Sequence, residues 1–240
     1  MNEMVDFVSG TFDLAGYGWL ILQGSFMTIR LSLFSLLLCL LLGLAGALAK
    51  LSSLKALRAV GYLYTTAVRS VPDLVLMLII FYGLQTIVSD VGERIGVGYL
   101  ELDPFVTGVL TLGFIYGAYF AETFRGAIIS IPRGQLEAAS AYGMSAIKKF
   151  LFIVFPQMMR NALPGIGNNW LVLVKATALV SLIGLADLVE ASQSAGKATF
   201  RMFYFLMIAG GIYLLLTMVS GWVLNYLERK YSAGFARKSI

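Results

Sequence analysis

Residues 135–149 read Gln-Leu-Glu-Ala-Ala-Ser-Ala-Tyr-Gly-Met-Ser-Ala-Ile-Lys-Lys, a polar stretch in a chain that is otherwise strongly apolar. Its composition predicts a short helix at a water-exposed surface. Ala138 and Ala139, which follow Glu137, are small enough for a helix face that enters a groove on another protein. Gly143 allows the backbone to turn or to approach a neighbour closely, because glycine has no Cβ atom. The stretch therefore predicts a rigid docking helix outside the membrane.

The composition of the whole chain indicates a membrane protein. Of its 240 residues, 59% are hydrophobic and only 13% are charged, whereas a soluble domain carries about 25% charged residues. There is no histidine, and the one cysteine, Cys39, lies inside an apolar run. These counts exclude a disulfide bond within the chain and argue against zinc or histidine-based chemistry. We therefore expect no metal site.

Five apolar runs are long enough to cross a bilayer as helices, since about 20 residues span its hydrocarbon core. A polar segment, 129–161, separates the third run from the fourth and contains the docking helix. The sequence thus predicts an all-α membrane protein, with one domain over residues 1–240. We expect its membrane-spanning helices over about residues 20–49, 59–88, 104–125, 162–188 and 202–227.

The distribution of Lys and Arg predicts the orientation of these helices. Twelve of the 18 basic residues lie in the loop 50–58, the segment 125–161 and the C-terminal tail. Only three lie in the loops 89–103 and 189–201, on the opposite side. Cytoplasmic loops carry the excess of basic residues. We therefore expect the N-terminus outside, and both the C-terminus and the docking helix in the cytoplasm.

Charged side chains at membrane depth are costly, so they mark either an ion pair or a transport pathway. Arg69 and Asp73 lie four residues apart and would share a face of any helix that continues through Pro72. They are candidates for a mutual ion pair, and equally for a pathway in which Arg69 orients Asp73. Lys175 has no acidic partner within reach on its own helix, so it needs Asp73, a partner chain or a place in the pathway.

Two further sets of residues are candidates for a functional or structural role. Glu122 and Arg125 lie three residues apart near the expected cytoplasmic boundary, and they predict a structural ion pair that leads into the polar segment. Asn168 and Asn169 follow a stretch with one proline and two glycines at the start of the fourth span. Their side chains can satisfy backbone groups that such a break frees. They are candidates for substrate contact, or for packing at a helix crossing.

The spacing of the docking helix resembles the EAA loop of ATP-binding-cassette (ABC) import permeases. Glu137-Ala-Ala is followed by Gly143, Ile153 and Pro156 at the intervals of that loop, although Phe155 stands where Leu is common. Over roughly residues 20–232 the chain resembles the polar amino acid permeases, in particular the Q-type permeases of histidine and lysine/arginine/ornithine uptake systems. The segments that carry this resemblance are Arg69-Ser-Val-Pro-Asp-Leu, Ala118-Tyr-Phe-Ala-Glu-Thr-Phe-Arg-Gly and Ala178-Leu-Val-Ser-Leu-Ile-Gly.

The resemblance implies the type I ABC-importer permease fold and a subunit that moves polar, in particular basic, amino acids into the cytoplasm. The implied substrates are histidine, lysine, arginine and ornithine, and the implied location is the bacterial inner (cytoplasmic) membrane. Glu137, Ala138, Ala139 and Gly143 would couple the chain to an ATPase. The implied partners are a second permease subunit (an M-type sister or a second copy), two ATP-binding subunits and a periplasmic amino acid-binding protein.

The chain itself has no Gly-x-x-x-x-Gly-Lys-Ser/Thr loop, the sequence that cradles phosphates in P-loop proteins. We therefore expect no cofactor on this chain and no enzyme activity, with ATP-Mg held by the partner ATPase. The alternative is a self-contained, ion-coupled secondary amino acid carrier. Such carriers are commonly built from two related halves, and five spans do not divide equally. A membrane anchor without a transport role would not need Asp73 or Lys175 at membrane depth.

The charge of the expected outer surface favours a cationic substrate. The loop 89–103 carries four acidic residues against Arg94 alone, and this rim would attract a cation over a Debye length of about 8 Å. Asp73 would then be a fixed counter-charge inside the pathway, where low dielectric strengthens a charge pair.

Overall fold

The computed structural model describes residues 14–232, and the N-terminal residues 1–13 and the tail 233–240 lie outside this range. All regular structure in the described range is helical, which confirms the expected fold class. The helices are α1 (Gly18–Leu51), α2 (Lys55–Ser70), α3 (Asp73–Arg94), α4 (Pro104–Ile129), α5 (Arg133–Ala141), α6 (Ala146–Lys149), α7 (Phe155–Ala176), α8 (Leu188–Thr199) and α9 (Met202–Ser232).

Between residues 14 and 232, five helical segments are long and apolar enough to cross a membrane, as the sequence predicts. The second and the fourth segments differ in their bounds from the predicted spans. The five segments are Gly18–Leu51, Asp73–Arg94, Pro104–Ile129, Ala146–Ile183 and Met202–Tyr231.

The predicted second span, 59–88, is wrong because the run is divided into two helices. The helix α2 ends at Ser70, Val71 is extended (φ −106°, ψ 140°), and α3 begins at Asp73. Pro72 has no N–H to donate and disfavours helical geometry in the residue before it. Only α3 is a candidate span, so α2 is a separate helix packed beside α1 and α4.

The fourth span begins well before the predicted residue 162. Helix α6 continues through a turn of π-helix, Phe150–Val154, into α7, which ends in a 3₁₀ segment, Thr177–Ile183. Wide π turns insert an extra residue without breaking a helix. Residues 146–161 are therefore part of this long helix. The prediction of a polar loop that reaches residue 161 is wrong from residue 146 onward.

Helix α4 is the centre of the fold. Of its most apolar stretch, 61% is buried inside the chain, compared with 6% in α3 and 11% in α9. Small residues allow α4 and α1 to approach closely, as in many membrane proteins. A Cβ atom on Gly113 would lie 2.4 Å from Leu38, and one on Gly43 would lie 2.5 Å from Phe120. The largely exposed α3 and α9 leave their apolar faces for lipid or for another chain.

Candidate transport pathway and coupling segment

The docking helix of the sequence analysis is α5, and its C-terminal end explains the glycine at position 143. Gly143 has φ +71°, its N–H bonds the Ser140 carbonyl at 3.0 Å, and the Met144 N–H bonds the Ala139 carbonyl at 3.0 Å. This pair of bonds is the Schellman motif, which places a left-handed residue directly after a helix. No atom lies within 4 Å of a Cβ built on Gly143. Gly143 therefore serves the turn at the end of α5, and no other part of the described chain approaches it closely.

Side-chain hydrogen bonds attach α5 to the long fourth span. Gln157 on α7 donates to Gln135 on α5 at 2.6 Å, and Lys149 on α6 donates to Ser140 at 2.9 Å. A groove of about 390 Å³ lies between α5 and the ends of α1, α4 and α6. Hydrogen bonds thus join both ends of α5 to the fourth span.

The alanines of the motif do not share one accessible face. Ala138 and Glu137 are exposed, whereas Ala139 is only 4% exposed and packs inside the chain. The expectation that Ala139 forms part of a docking face is therefore wrong for this structure, because a short helix on a protein surface must bury one side. Ala138 is the alanine of the pair that a partner protein can reach.

Asp73 lies at the break between α2 and α3. The Tyr116 hydroxyl on α4 donates to the Asp73 carboxylate at 2.7 Å. The guanidinium of Arg69 instead lies over the ring of Tyr119, 5.3 Å from its centre, and Tyr119 stacks on Tyr116. Among residues 14–232, no ion pair joins Arg69 to Asp73. The hypothesis of a mutual pair is wrong because the helix does not continue through Pro72.

Helix α7 presents polar residues on one exposed stripe. Asn168 and Lys175 are both exposed, and their spacing of seven residues places them on the same face of the helix. Lys175 lies eight residues before the end of the span at Ile183, or at least about 12 Å inside it. Asn169 points elsewhere, since its amide donates to Thr123 on α4 at 3.0 Å. The structure thus separates the two asparagines into an exposed one and one that packs between helices.

The predicted pair between Glu122 and Arg125 is present, with the Arg125 Nε atom 2.9 Å from the Glu122 carboxylate. Sequence reasoning missed its third member, Lys50, whose ammonium group also pairs with Glu122. Lys50 is only 5% exposed, donates to Thr65 at 2.7 Å and lies over the Tyr62 ring. This charge cluster of Lys50, Glu122 and Arg125 joins the C-terminal parts of α1 and α4 to the middle of α2. Its only signal in the sequence is that Lys50 ends an apolar run.

Known proteins resemble this chain over most of its length. Residues 39–233 match the family described as "Binding-protein-dependent transport system inner membrane component". The chain belongs to this family. The histidine/lysine/arginine/ornithine transport system permease protein HisQ of Escherichia coli (strain K12) is 53% identical over 227 residues, which cover 95% of this chain and all of that protein. The octopine transport system permease protein OccQ of Rhizobium radiobacter is 38% identical, over 94% of this chain and 96% of that protein.

Two solved structures share the fold. A chain of an amino acid ABC transporter crystallised with histidines superposes with a TM-score of 0.76 at 32% identity, over 90% of this chain and 96% of that chain. A chain of the MetNI methionine ABC transporter gives a TM-score of 0.70 over 89% of this chain and 96% of that chain. Its 17% identity supports the fold alone. The family resemblance predicted from the sequence is confirmed, and these relatives are transport permeases and not enzymes.

The role of the Schellman turn at Gly143 in coupling to an ATPase can be tested by substitution. We expect Gly143→Val to reduce ATP-driven uptake several-fold while the amount of protein in the membrane stays near normal. A β-branched residue in the left-handed region costs about 1–2 kcal/mol, and this cost would displace the end of α5. Gly143→Asn is the matched control, because asparagine tolerates that conformation. Uptake and membrane abundance are measured for both variants, and equal uptake in the two would contradict a role for this turn.

Proposed function

We propose that this chain is a permease subunit of an ATP-driven ABC importer that carries basic amino acids (histidine, lysine, arginine and ornithine) into the cytoplasm. The relatives HisQ and OccQ are permeases of transport systems for histidine, lysine, arginine and ornithine and for octopine, respectively. The proposal extends their substrate class to this chain. It rests on the family and on the placement of charged groups in the fold.

The observation that carries the proposal is the exposed polar stripe of α7. A lysine that faces lipid at this depth would cost several kcal/mol, so intramembrane lysines face a partner or a water-filled path. Within residues 14–232, Lys175 forms no ion pair. The stripe of Asn168 and Lys175 is therefore best explained as one wall of a pathway that a second permease subunit completes. Asn169 would support this wall from behind through Thr123.

The attachment of α5 to α7 supports ATP-driven movement. We propose that Glu137, Ala138 and the turn at Gly143 contact an ATPase, and that Ala139 holds α5 against the rest of the chain. When the ATPases close, the hydrogen bond that Gln157 donates to Gln135 would draw α7 with α5. The movement would then reach the wall that carries Lys175, because α7 is a continuous helix between these positions.

The surroundings of Asp73 support a cationic substrate. The neutral hydroxyl of Tyr116 donates to its carboxylate, the neutral Tyr119 lies beside it, and no ion pair in the described part of the chain involves Asp73, so its charge is not cancelled. A half-buried carboxylate in low dielectric attracts a cation more strongly than one in water. We propose that Asp73 is the counter-charge for the side chain of a basic amino acid, and that Arg69 contributes by holding Tyr119 beside Tyr116.

The proposed assembly contains a second permease subunit, two ATP-binding subunits with ATP-Mg, and a periplasmic amino acid-binding protein. We propose that it lies in the bacterial inner membrane, with the N-terminus of this chain outside and its C-terminus in the cytoplasm. The charge count supports this orientation, since α5 and the charge cluster of Lys50, Glu122 and Arg125 then lie on the cytoplasmic side. The apolar faces of α3 and α9 offer surface for the second permease subunit and for lipid.

The proposed assembly predicts that the isolated chain is inactive. Purified alone, the chain is expected to hydrolyse no ATP and to transport no arginine, because it has half a pathway and no nucleotide-binding loop. Adding the sister permease and the ATP-binding subunits should restore both activities in proteoliposomes. The measurements are phosphate release and uptake of labelled arginine. Appreciable hydrolysis or ATP-driven uptake by the single chain would overturn the proposal.

A further inference from the structure

A buried carboxyl group lies at the start of α8, apart from the proposed pathway and the coupling segment. Asp187 is 0% exposed. One carboxyl oxygen, Oδ1, caps α8 by accepting a hydrogen bond from the Glu190 N–H at 2.9 Å. The other oxygen, Oδ2, is also buried, and no group in residues 14–232 donates a hydrogen bond to it. A carboxylate with one unbonded, buried oxygen is costly to keep ionised.

The start of α8 is packed tightly against α1. The Leu188 N–H donates to the hydroxyl of Thr28 on α1 at 3.1 Å. A Cβ atom on Gly24 would lie 2.7 Å from the Asp187 carbonyl oxygen and 2.9 Å from Ala191. The backbones of the two helices therefore touch at this point, and neither can shift without breaking the contact.

We propose that Asp187 is a proton-binding site, which holds a proton on Oδ2 while α8 is packed against α1 and loosens this contact when the proton leaves. The proton comes from the surrounding water and returns to it, and the carboxyl group changes between neutral and singly negative. No bond other than O–H forms or breaks. The ligand is thus a proton, and the state that it stabilises is the closed packing of α8 on α1.

A metal ion fits this position poorly. Hard cations need several oxygen ligands around them, but Oδ2 has no hydrogen-bond partner in the described part of the chain. Nor do the described residues contain a cluster of three or more His, Cys, Asp or Glu side chains that could hold a metal. A proton needs no further ligands, and it removes the charge that burial makes costly.

The charged groups nearby do not neutralise Asp187. The titratable side chains on α1, on α8, and on α9 with the residue before it include Arg30, Glu190, Lys197, Arg201, Tyr204 and Tyr213. No ion pair in residues 14–232 joins any of them to Asp187. Burial raises the pKa of the Asp187 carboxyl to about 7, although the N–H groups of α8 oppose this shift, and the neighbouring Glu190 adds to it. The site therefore titrates near neutral pH.

The direct test is infrared spectroscopy of the complete complex in lipid nanodiscs. The carbonyl stretch of a protonated carboxylic acid is expected near pH 6 in the wild type, and it should fade by about pH 8. Labelling aspartate with ¹³C should shift this band, and Asp187→Asn should remove it. Glu190→Gln, one turn away, is the control that should keep it. A wild-type protein without such a band at pH 6 would overturn the proposal even if Asp187→Asn failed to fold.

The pH dependence of thermal stability provides a second test of the proposal. The folded carboxyl holds its proton up to about pH 7, and the unfolded one loses it near pH 4. The stability that the proton contributes is complete below about pH 4, falls as pH rises, and is lost above about pH 7. Between pH 5 and 7 the Tm of the wild type should therefore fall roughly 3 °C more per pH unit than that of Asp187→Asn. Parallel profiles for the two proteins would also overturn the proposal.

Discussion

Replacing Lys50 with methionine is expected to lower the stability of the folded chain by about 3 kcal/mol, because the change leaves the partly buried Glu122 without its closest cation. Arg125 still contacts Glu122, so the loss should lie at the low end for a broken buried pair. The Tm of the purified protein should fall by roughly 6–12 °C. Methionine keeps the length and apolar stem of lysine, so the experiment isolates the charge.

Two further variants separate the charge cluster from general effects of removing a lysine. Lys55→Met, at the exposed start of α2, should change stability by less than about 0.5 kcal/mol. The double variant Lys50→Met/Glu122→Gln should recover part of the loss, since the partly buried carboxylate is no longer present without its partner. Equal melting temperatures for Lys50→Met and Lys55→Met would show that the cluster does not hold α1, α2 and α4 together.

The Asp73→Asn variant is expected to reduce the uptake of arginine and lysine about tenfold or more, while uptake of an uncharged substrate falls much less. The change removes one negative charge with little change in volume. The loss of one favourable charge pair of about 1.4 kcal/mol is enough for a factor of ten. Histidine at about pH 8, where its side chain is neutral, provides the uncharged substrate. Initial uptake rates in proteoliposomes measure the effect.

Two control variants separate the charge of Asp73 from its structural contact. Asp103→Asn removes an exposed carboxylate at the start of α4, and asparagine can keep the cap on Val106. It should leave arginine uptake nearly unchanged. Tyr116→Phe removes the hydroxyl that bonds Asp73 but keeps the charge, so the preference for arginine should persist. Equal losses for arginine and neutral histidine in Asp73→Asn would mean that Asp73 braces the junction of α2 and α3 and does not recognise charge.

The number of spans, the helical class and the family follow from sequence because each depends on local signals. The number of apolar runs predicts the number of spans. The spacing of Glu137, Gly143 and Pro156, which indicates the family, can be read directly from the sequence. The split of the predicted second span shows the limit of hydropathy alone. Pro72 is visible in the sequence, but a proline can kink a helix or end it. The contacts of α2 with α1 and α4, which decide between these outcomes, are distant in sequence.

At the candidate sites, too, the sequence predicts contacts between residues that are close in sequence and misses contacts between distant ones. The pair of Glu122 and Arg125 is local, three residues apart, and was predictable. Lys50 lies 72 residues from Glu122, so its part in the cluster depends on the packing of α1 against α4. The contact between Tyr116 and Asp73 spans 43 residues and replaces the expected contact with Arg69. Sequence spacing identifies partners on one helix, whereas partners on different helices require the fold.

The most direct test of the account is uptake of labelled arginine by proteoliposomes that contain the complete complex. The experiment supplies ATP-Mg on the side of α5 and the amino acid-binding protein on the other side, without an ion gradient. We predict uptake when both are present and almost none when either is omitted. Uptake by this chain alone, driven by a proton or sodium gradient without ATP, would contradict the account and establish a secondary carrier.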